Sequence, residues 1–183
     1  MDEIMAEPAE KLMTVDEFLR WDDGTDTRHE LVDGRIVAMA SPGPAHRTIA
    51  ANIVRLIGNR LADRPPCRAE IEAGIRISDV TRWQADVAVT CGPLAYDVEP
   101  LIVVEVLSPS TRRNDLSLKL ADYKTLPSVQ EIWLIDSERR WAQVWWREAE
   151  GWHGRDHVDG SSFRSEVLEG EVALDELYRN AGL

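Results

Sequence analysis

Glu105 is the one acidic residue in the run Leu101-Ile102-Val103-Val104-Glu105-Val106-Leu107, which is apolar at every other position. Such a run has the pattern of a central strand covered on both faces. A carboxylate there is expensive to ionise unless something compensates it. Three partners can do so: an Arg or Lys in a structural pair, a core hydrogen-bond network around a protonated Glu, or a metal ion. A second acid, Asp86, lies in the preceding apolar stretch Trp83-Gln84-Ala85-Asp86-Val87-Ala88-Val89. Alone it reads as a turn or capping residue. If the two strands are neighbours, Asp86 and Glu105 converge, and hard oxygen donors gathered at one point suit Mg²⁺ or Mn²⁺.

Two further charged residues are candidates for the same point. Glu30 is flanked by Leu31 and Val32, where a solvent-facing acid is the plainer reading. Lys119 follows Asp115 by four residues, so it either forms a surface pair worth about 0.3–0.5 kcal/mol or reaches inward to position a nucleophile. His46 either touches a phosphate or shuttles a proton, or it is a solvent-exposed residue at a helix start.

The elements that must position these side chains follow from local pattern. Thr14-Val15-Asp16-Glu17 has the form of a capping box, with Met13 and Phe18 as a hydrophobic staple, and opens a short helix reaching about Trp21. His29 to Met39 reads as a hairpin turning at Asp33-Gly34, a dipeptide that tolerates positive φ. From Ala45 to Ala62, Ile49, Ile53, Leu56 and Ile57 recur at helical spacing. Ile71, Ala73, Ile75 and Ile77 alternate with polar residues, as in a strand with one buried face. Strands are expected at 85–90 and 101–107, a helix from Asp115 to Leu126 stopped by Pro127, and strands at 131–136 and 141–147. A loop or hairpin and a short helix near Leu174 to Tyr178 complete the chain. This order gives a mixed α/β sandwich around one sheet.

A chain of 183 residues, 44% hydrophobic and without a Pro/Gly/Ser-rich linker, suits one domain over 1–183, with residues 1–10 as a flexible acidic N-terminus. No apolar run is long enough to span a bilayer, and the start is acidic, so a cytoplasmic protein is expected. Cys67 and Cys91 belong to no CxxC pair and read as ordinary thiols without a role. A net charge of −12 argues against a generic nucleic-acid-binding protein. The charge is uneven, however: Arg35 to Arg68 contains six arginines and one acid, a local +5 that leaves the remainder at −17. This stretch could meet a polyanion or be the solvated face of a helix.

The segments Thr14-Val15-Asp16-Glu17-Phe18, Glu30-Leu31-Val32-Asp33-Gly34, Asp86, Val103 through Thr111, Asp115 with Lys119 and Tyr123, and Glu131 through Asp136 together resemble the Uma-type branch of restriction-endonuclease-like proteins. The run Glu105-Val106-Leu107-Ser108-Pro109-Ser110-Thr111 is the most specific element, and the likeness covers roughly Lys11 to Arg147. The resemblance implies the PD-(D/E)XK nuclease fold, a restriction-endonuclease-like mixed β-sheet flanked by helices, with a site formed by Glu30, Asp86, Glu105 and Lys119. Ala85 replaces the Pro that precedes the Asp, and Leu107 stands where the Lys of ExK would be. The branch moves that Lys to the following helix, which Lys119 matches.

The expected activity is Mg²⁺- or Mn²⁺-dependent hydrolysis of DNA phosphodiesters. Asp86, Glu105, the Val106 carbonyl and Glu30 would hold the metal, and Lys119 would orient the water. His46, Arg112 and Arg113 would contact the substrate. Two alternatives stand beside it. One is a catalytically silent binding or assembly module, for which Trp133, Trp141, Trp145 and Trp146 could pack a homodimer interface, although such aromatics are more often core. The other is a metal-dependent hydrolase of a smaller phosphate ester.

Overall fold

The computed structural model describes residues 12–108 and 115–183, without the side chains of Asp115 and Leu116. The chain enters through α1 (Val15–Phe18), whose capping box forms as the sequence requires. The Thr14 amide donates to Glu17 Oε2 at 2.9 Å, and the Glu17 amide donates back to Thr14 Oγ1 at 3.2 Å. The helix stops at Phe18, short of Trp21, and Met13 packs beside Val15, Phe18 and Leu31. Strands β1 (His29–Val32) and β2 (Arg35–Ala38) form the hairpin, with φ of 48° at Asp33 and 75° at Gly34 giving the tight two-residue turn.

Helix α2 (Pro44–Leu61) buries Ile49, Ile53, Leu56, Ile57 and Leu61. It lies on a sheet formed with β3 (Arg68–Arg76), β4 (Arg82–Thr90), β5 (Pro100–Leu107), β6 (Glu131–Asp136), β7 (Trp141–Glu148) and β8 (Gly151–Val158). The strand order is β2-β1-β4-β5-β6-β7-β8, with β3 also paired to β4. Only β5 and β6 run parallel, joined by a crossover through a π-helical turn (Asp115–Lys119) and α3 (Leu120–Thr125). The strand β5 alternates as a doubly covered strand should: Val104 and Val106 face α2, whereas Val103 and Leu107 face Leu120 and Tyr123 of α3. The hairpin β9 (Ser162–Ser165) and β10 (Gly170–Ala173), followed by α4 (Leu174–Leu177), closes the α2 side through Phe163, Val172, Leu174 and Leu177.

Two expectations need correction. Cys67 and Cys91 are joined as a disulfide rather than left as thiols. The β3–β4 register explains why: Arg68 faces Thr90, so the cysteines occupy the next facing positions. Ile71 is 64% exposed and does not share the buried face of Ala73 and Ile75. Among the tryptophans, Trp133 is fully buried, edge-on to Phe163 at 4.9 Å, and Trp141 and Trp145 pack against the α3-side core. Among the described residues, no helix is long and apolar enough to cross a membrane.

Tyr178 fastens the C-terminal cap to the sheet. Its hydroxyl oxygen lies 2.8 Å from the Asp136 carbonyl and 2.7 Å from the Trp141 carbonyl, and it accepts from the Trp141 amide at 3.1 Å. Burial pushes this phenol from its ordinary 10.0 up to about 12. Because the folded chain holds the proton more tightly, the contribution is fully present below pH 10 and is lost as pH rises towards 12. Tyr178→Phe should therefore cost about 1–2 kcal/mol near neutral pH and flatten the alkaline loss of stability, both readable from urea unfolding at neutral and alkaline pH.

Candidate active site

The site occupies a gap in the sheet. The strand β3 pairs with one edge of β4 along most of its length, while the other edge meets β1 at Arg82 and β5 from Val87 onward. Between them, Gln84 to Asp86 face no strand on that edge, so their polar groups must be satisfied otherwise. The Gln84 amide donates to Glu30 Oε1 at 2.9 Å, the Gln84 carbonyl accepts from Lys119 Nζ at 3.4 Å, and Asp86 Oδ2 accepts from the Val106 amide at 2.7 Å. Asp86 and Glu105 fall at facing positions one step beyond the Val87–Val104 pair. The candidate acids thus fill the place of missing backbone pairing.

The side-chain direction of β4 also changes here. Trp83 and Ala85 belong to the α3-side core, but Val87 and Val89 belong to the α2-side core. Residues two apart share a face in a regular strand, so the alternation inverts around Asp86. Glu72, which faces Asp86 in the β3–β4 register, has φ of 51°. This local inversion moves Ile71 out of the core.

Glu105 is 2% exposed, Lys119 4% and Glu30 7%. Lys119 Nζ lies 2.8 Å from Glu30 Oε1 and 3.3 Å from Glu105 Oε1, and 5.5 Å from the centre of the Trp83 ring. Glu105 Oε1 also accepts the Tyr123 hydroxyl at 2.6 Å. Lys119 and Tyr123 are four residues apart, and the helical turn presents both to the same acid. Of the partners considered for Glu105, a structural cation is present. Lys119 points inward, and Glu30 is not a solvent-facing hairpin acid.

His46, in the first turn of α2, is not solvent-exposed: its side chain is 12% exposed and Nε2 lies 3.2 Å from Asp86 Oδ2. Its buried Nδ1 has no hydrogen-bond partner. Glu30, His46, Asp86, Glu105, Val106 and Lys119 all line one cavity of about 300 Å³, with Arg28 at its edge. Arg28 is paired with Glu72 at 2.6 Å. Arg112 and Arg113 lie outside the described residues.

The cavity's three acids, set against Lys119 and Arg28, leave a formal charge of −1. Among the described residues, no group of three or more His, Cys, Asp or Glu side chains is arranged to hold a metal ion. Glu30 Oε1 is taken by Lys119 and the Gln84 amide. Asp86 Oδ2 is likewise held by the Val106 amide and His46, and Glu105 Oε1 by Lys119 and Tyr123; carboxylates beside backbone oxygen are the hard donors that Mg²⁺ or Mn²⁺ takes, and Mg²⁺ keeps several waters.

In the sequence Tyr123 figures only within the resemblance and carries no role there, whereas its hydroxyl holds Glu105. The signal was its spacing from Lys119, because a buried tyrosine hydroxyl requires a partner.

Comparisons with known proteins agree with this architecture. The chain is 27% identical over 175 residues to the uncharacterized protein slr1290 of Synechocystis sp., covering 91% of this chain and 92% of that one. A second uncharacterized Synechocystis protein, sll1609, is 26% identical over 141 residues, covering 69% and 76%. A crystal structure from Anabaena variabilis, described as "a putative nuclease belonging to DUF820", superposes with a TM-score of 0.74 at 21% identity, covering 91% of this chain and 97% of that one. That likeness shows a shared fold, a mixed sheet with flanking helices of restriction-endonuclease-like form. The family model Uma2, described as "Putative restriction endonuclease", matches residues 15–176, and the chain belongs to that family.

Proposed function

We propose that this chain is a metal-dependent nuclease that hydrolyses phosphodiester bonds in DNA. The observation that carries the reading is a cavity in which three mostly buried acids converge around a buried lysine and which stays net negative with Arg28 counted. Such a cavity is costly to maintain unless a dication or an equivalent charge enters it. Asp86, Glu105 and the Val106 carbonyl would hold Mg²⁺ or Mn²⁺, with Glu30 acting through Lys119 or a water. The bound ion would supply Lewis-acid stabilisation of negative charge on the phosphoryl oxygens.

The chain's own groups account for the rest. Lys119, fixed by Glu30, Glu105 and the Gln84 carbonyl, is an ammonium and therefore a donor rather than a base. It orients the attacking water and shields the incoming phosphate from the carboxylates. His46 and the Val106 amide hold Asp86 from two sides.

The Lys119 bridge also favours a second reading, a silent binding module in which the ammonium satisfies both glutamates without a metal. Incubating purified protein with circular and linear DNA in Mg²⁺, Mn²⁺ or EDTA separates the two. The nuclease reading expects cleavage with either metal and none in EDTA, whereas intact DNA under all three conditions supports the silent module. Hydrolysis of a small aryl phosphate without DNA cleavage would mark an esterase instead.

A further inference from the structure

A second concavity, about 440 Å³, opens beside the acidic one and shares Arg28, Pro42, His46 and Asp86 with it. Its chemistry is different. The helix α2 contributes Ala50, Ala51 and Val54, and Ile71 of β3 faces them, so the floor is apolar. Ile71, turned outward by the inversion at Glu72, forms one wall. Arg47 and Arg55 stand at four-residue spacing on either side of Ala51 on the exposed face of α2.

Those two arginines stand apart from the rest of the basic stretch. Arg60 and Arg64 donate to the Glu171 and Val167 carbonyls, and Arg68 to the Gly92 and Pro93 carbonyls. Among the described residues, Arg47 and Arg55 have no carboxylate within ion-pair distance. The two acids of the lining are engaged elsewhere, Glu72 by Arg28 and Asp86 by His46, so in a chain of net charge −12 two guanidiniums without ion-pair partners beside an apolar floor suit an occupant that is both anionic and flat. A duplex keeps its base faces stacked and offers only phosphates and base edges, whereas a single strand offers base faces as well. His46 lines both cavities and sits where they meet.

We infer that the groove over Ala50, Ala51, Val54 and Ile71 seats an unpaired base next to the scissile phosphate, with Arg47 and Arg55 on neighbouring phosphates, so that the substrate is single-stranded or locally unpaired DNA. This rests on the nuclease reading for its placement but not for its test. The volume lies within the roughly 300–1,000 Å³ typical of ligand sites.

Fluorescence anisotropy with labelled single-stranded and duplex oligonucleotides in EDTA reads binding without cleavage. The single strand should bind at least about tenfold more tightly. Ala51→Glu, an exposed helix change that circular dichroism can check for folding, should reduce single-strand affinity about tenfold, and Ala51→Gln should reduce it less. Arg47→Ala with Arg55→Ala should lower the salt slope by about 1.4, the value for two single-strand phosphate contacts. Equal or tighter binding of the duplex would overturn the inference, as would an Ala51→Glu variant that changes only self-association, which would mean that a second copy occupies the groove. Single-strand-selective binding without cleavage in Mg²⁺ would support this inference and remove the nuclease reading. Cleavage of duplex with no strand preference in binding would do the reverse.

Discussion

Glu105→Gln and Asp86→Asn should each lower Mg²⁺-dependent DNA cleavage by more than a hundredfold while leaving the chain folded. Both changes conserve shape and replace one anionic oxygen by an amide. Altering a group that merely supports a metal ligand costs about 10- to 100-fold, so neutralising a ligand itself should exceed that. In Glu105→Gln the amide oxygen can still accept the Tyr123 hydroxyl, and Lys119 keeps Glu30 at 2.8 Å. In Asp86→Asn the amide oxygen can still accept from the Val106 amide. Urea unfolding should therefore show modest losses, about 1–3 kcal/mol. Undiminished cleavage by either variant would remove that acid from the mechanism.

Lys119→Met should have the largest effect on stability, about 3–5 kcal/mol. It leaves Glu30 and Glu105, both almost inaccessible to water, without the ammonium that lies between them. Cleavage should be lost in the same variant, because the water loses its orienting donor. Two controls separate charge from packing. The triple variant Lys119→Met, Glu30→Gln, Glu105→Gln removes the uncompensated charges and should recover much of the stability without recovering activity. Adding Mg²⁺ to Lys119→Met should raise its urea midpoint, because the acids that lose the ammonium can take the cation. A Lys119→Met protein as stable as the parent would show that the two glutamates are not the buried anions described here.

Local pattern was enough for the parts of the fold that depend on local rules. The capping box at Thr14, the two positive-φ residues at Asp33-Gly34 and the apolar stripe of α2 each arise within a few residues. Glu105 was legible for the same reason: an acid inside an otherwise apolar strand must have a partner. Which partner was not legible, because an ammonium and a metal relieve the same electrostatic cost, and Lys119 reaches Glu105 from a different element. The Cys67–Cys91 bond and the packing of His46 on Asp86 depend on strand register and helix docking. Ile71 was misassigned because strict alternation fails where β4 leaves one neighbour and meets another. That break in regularity is where the acids converge, so the position least readable by pattern is the one that carries the candidate chemistry.

Soaking crystals with Mn²⁺ and recording its anomalous scattering tests the central claim most directly. The account predicts a peak between Asp86 and Glu105, within bonding reach of an oxygen from each, that disappears in Glu105→Gln. No peak at saturating Mn²⁺, with Glu105 still held by Lys119 and Tyr123, would contradict it.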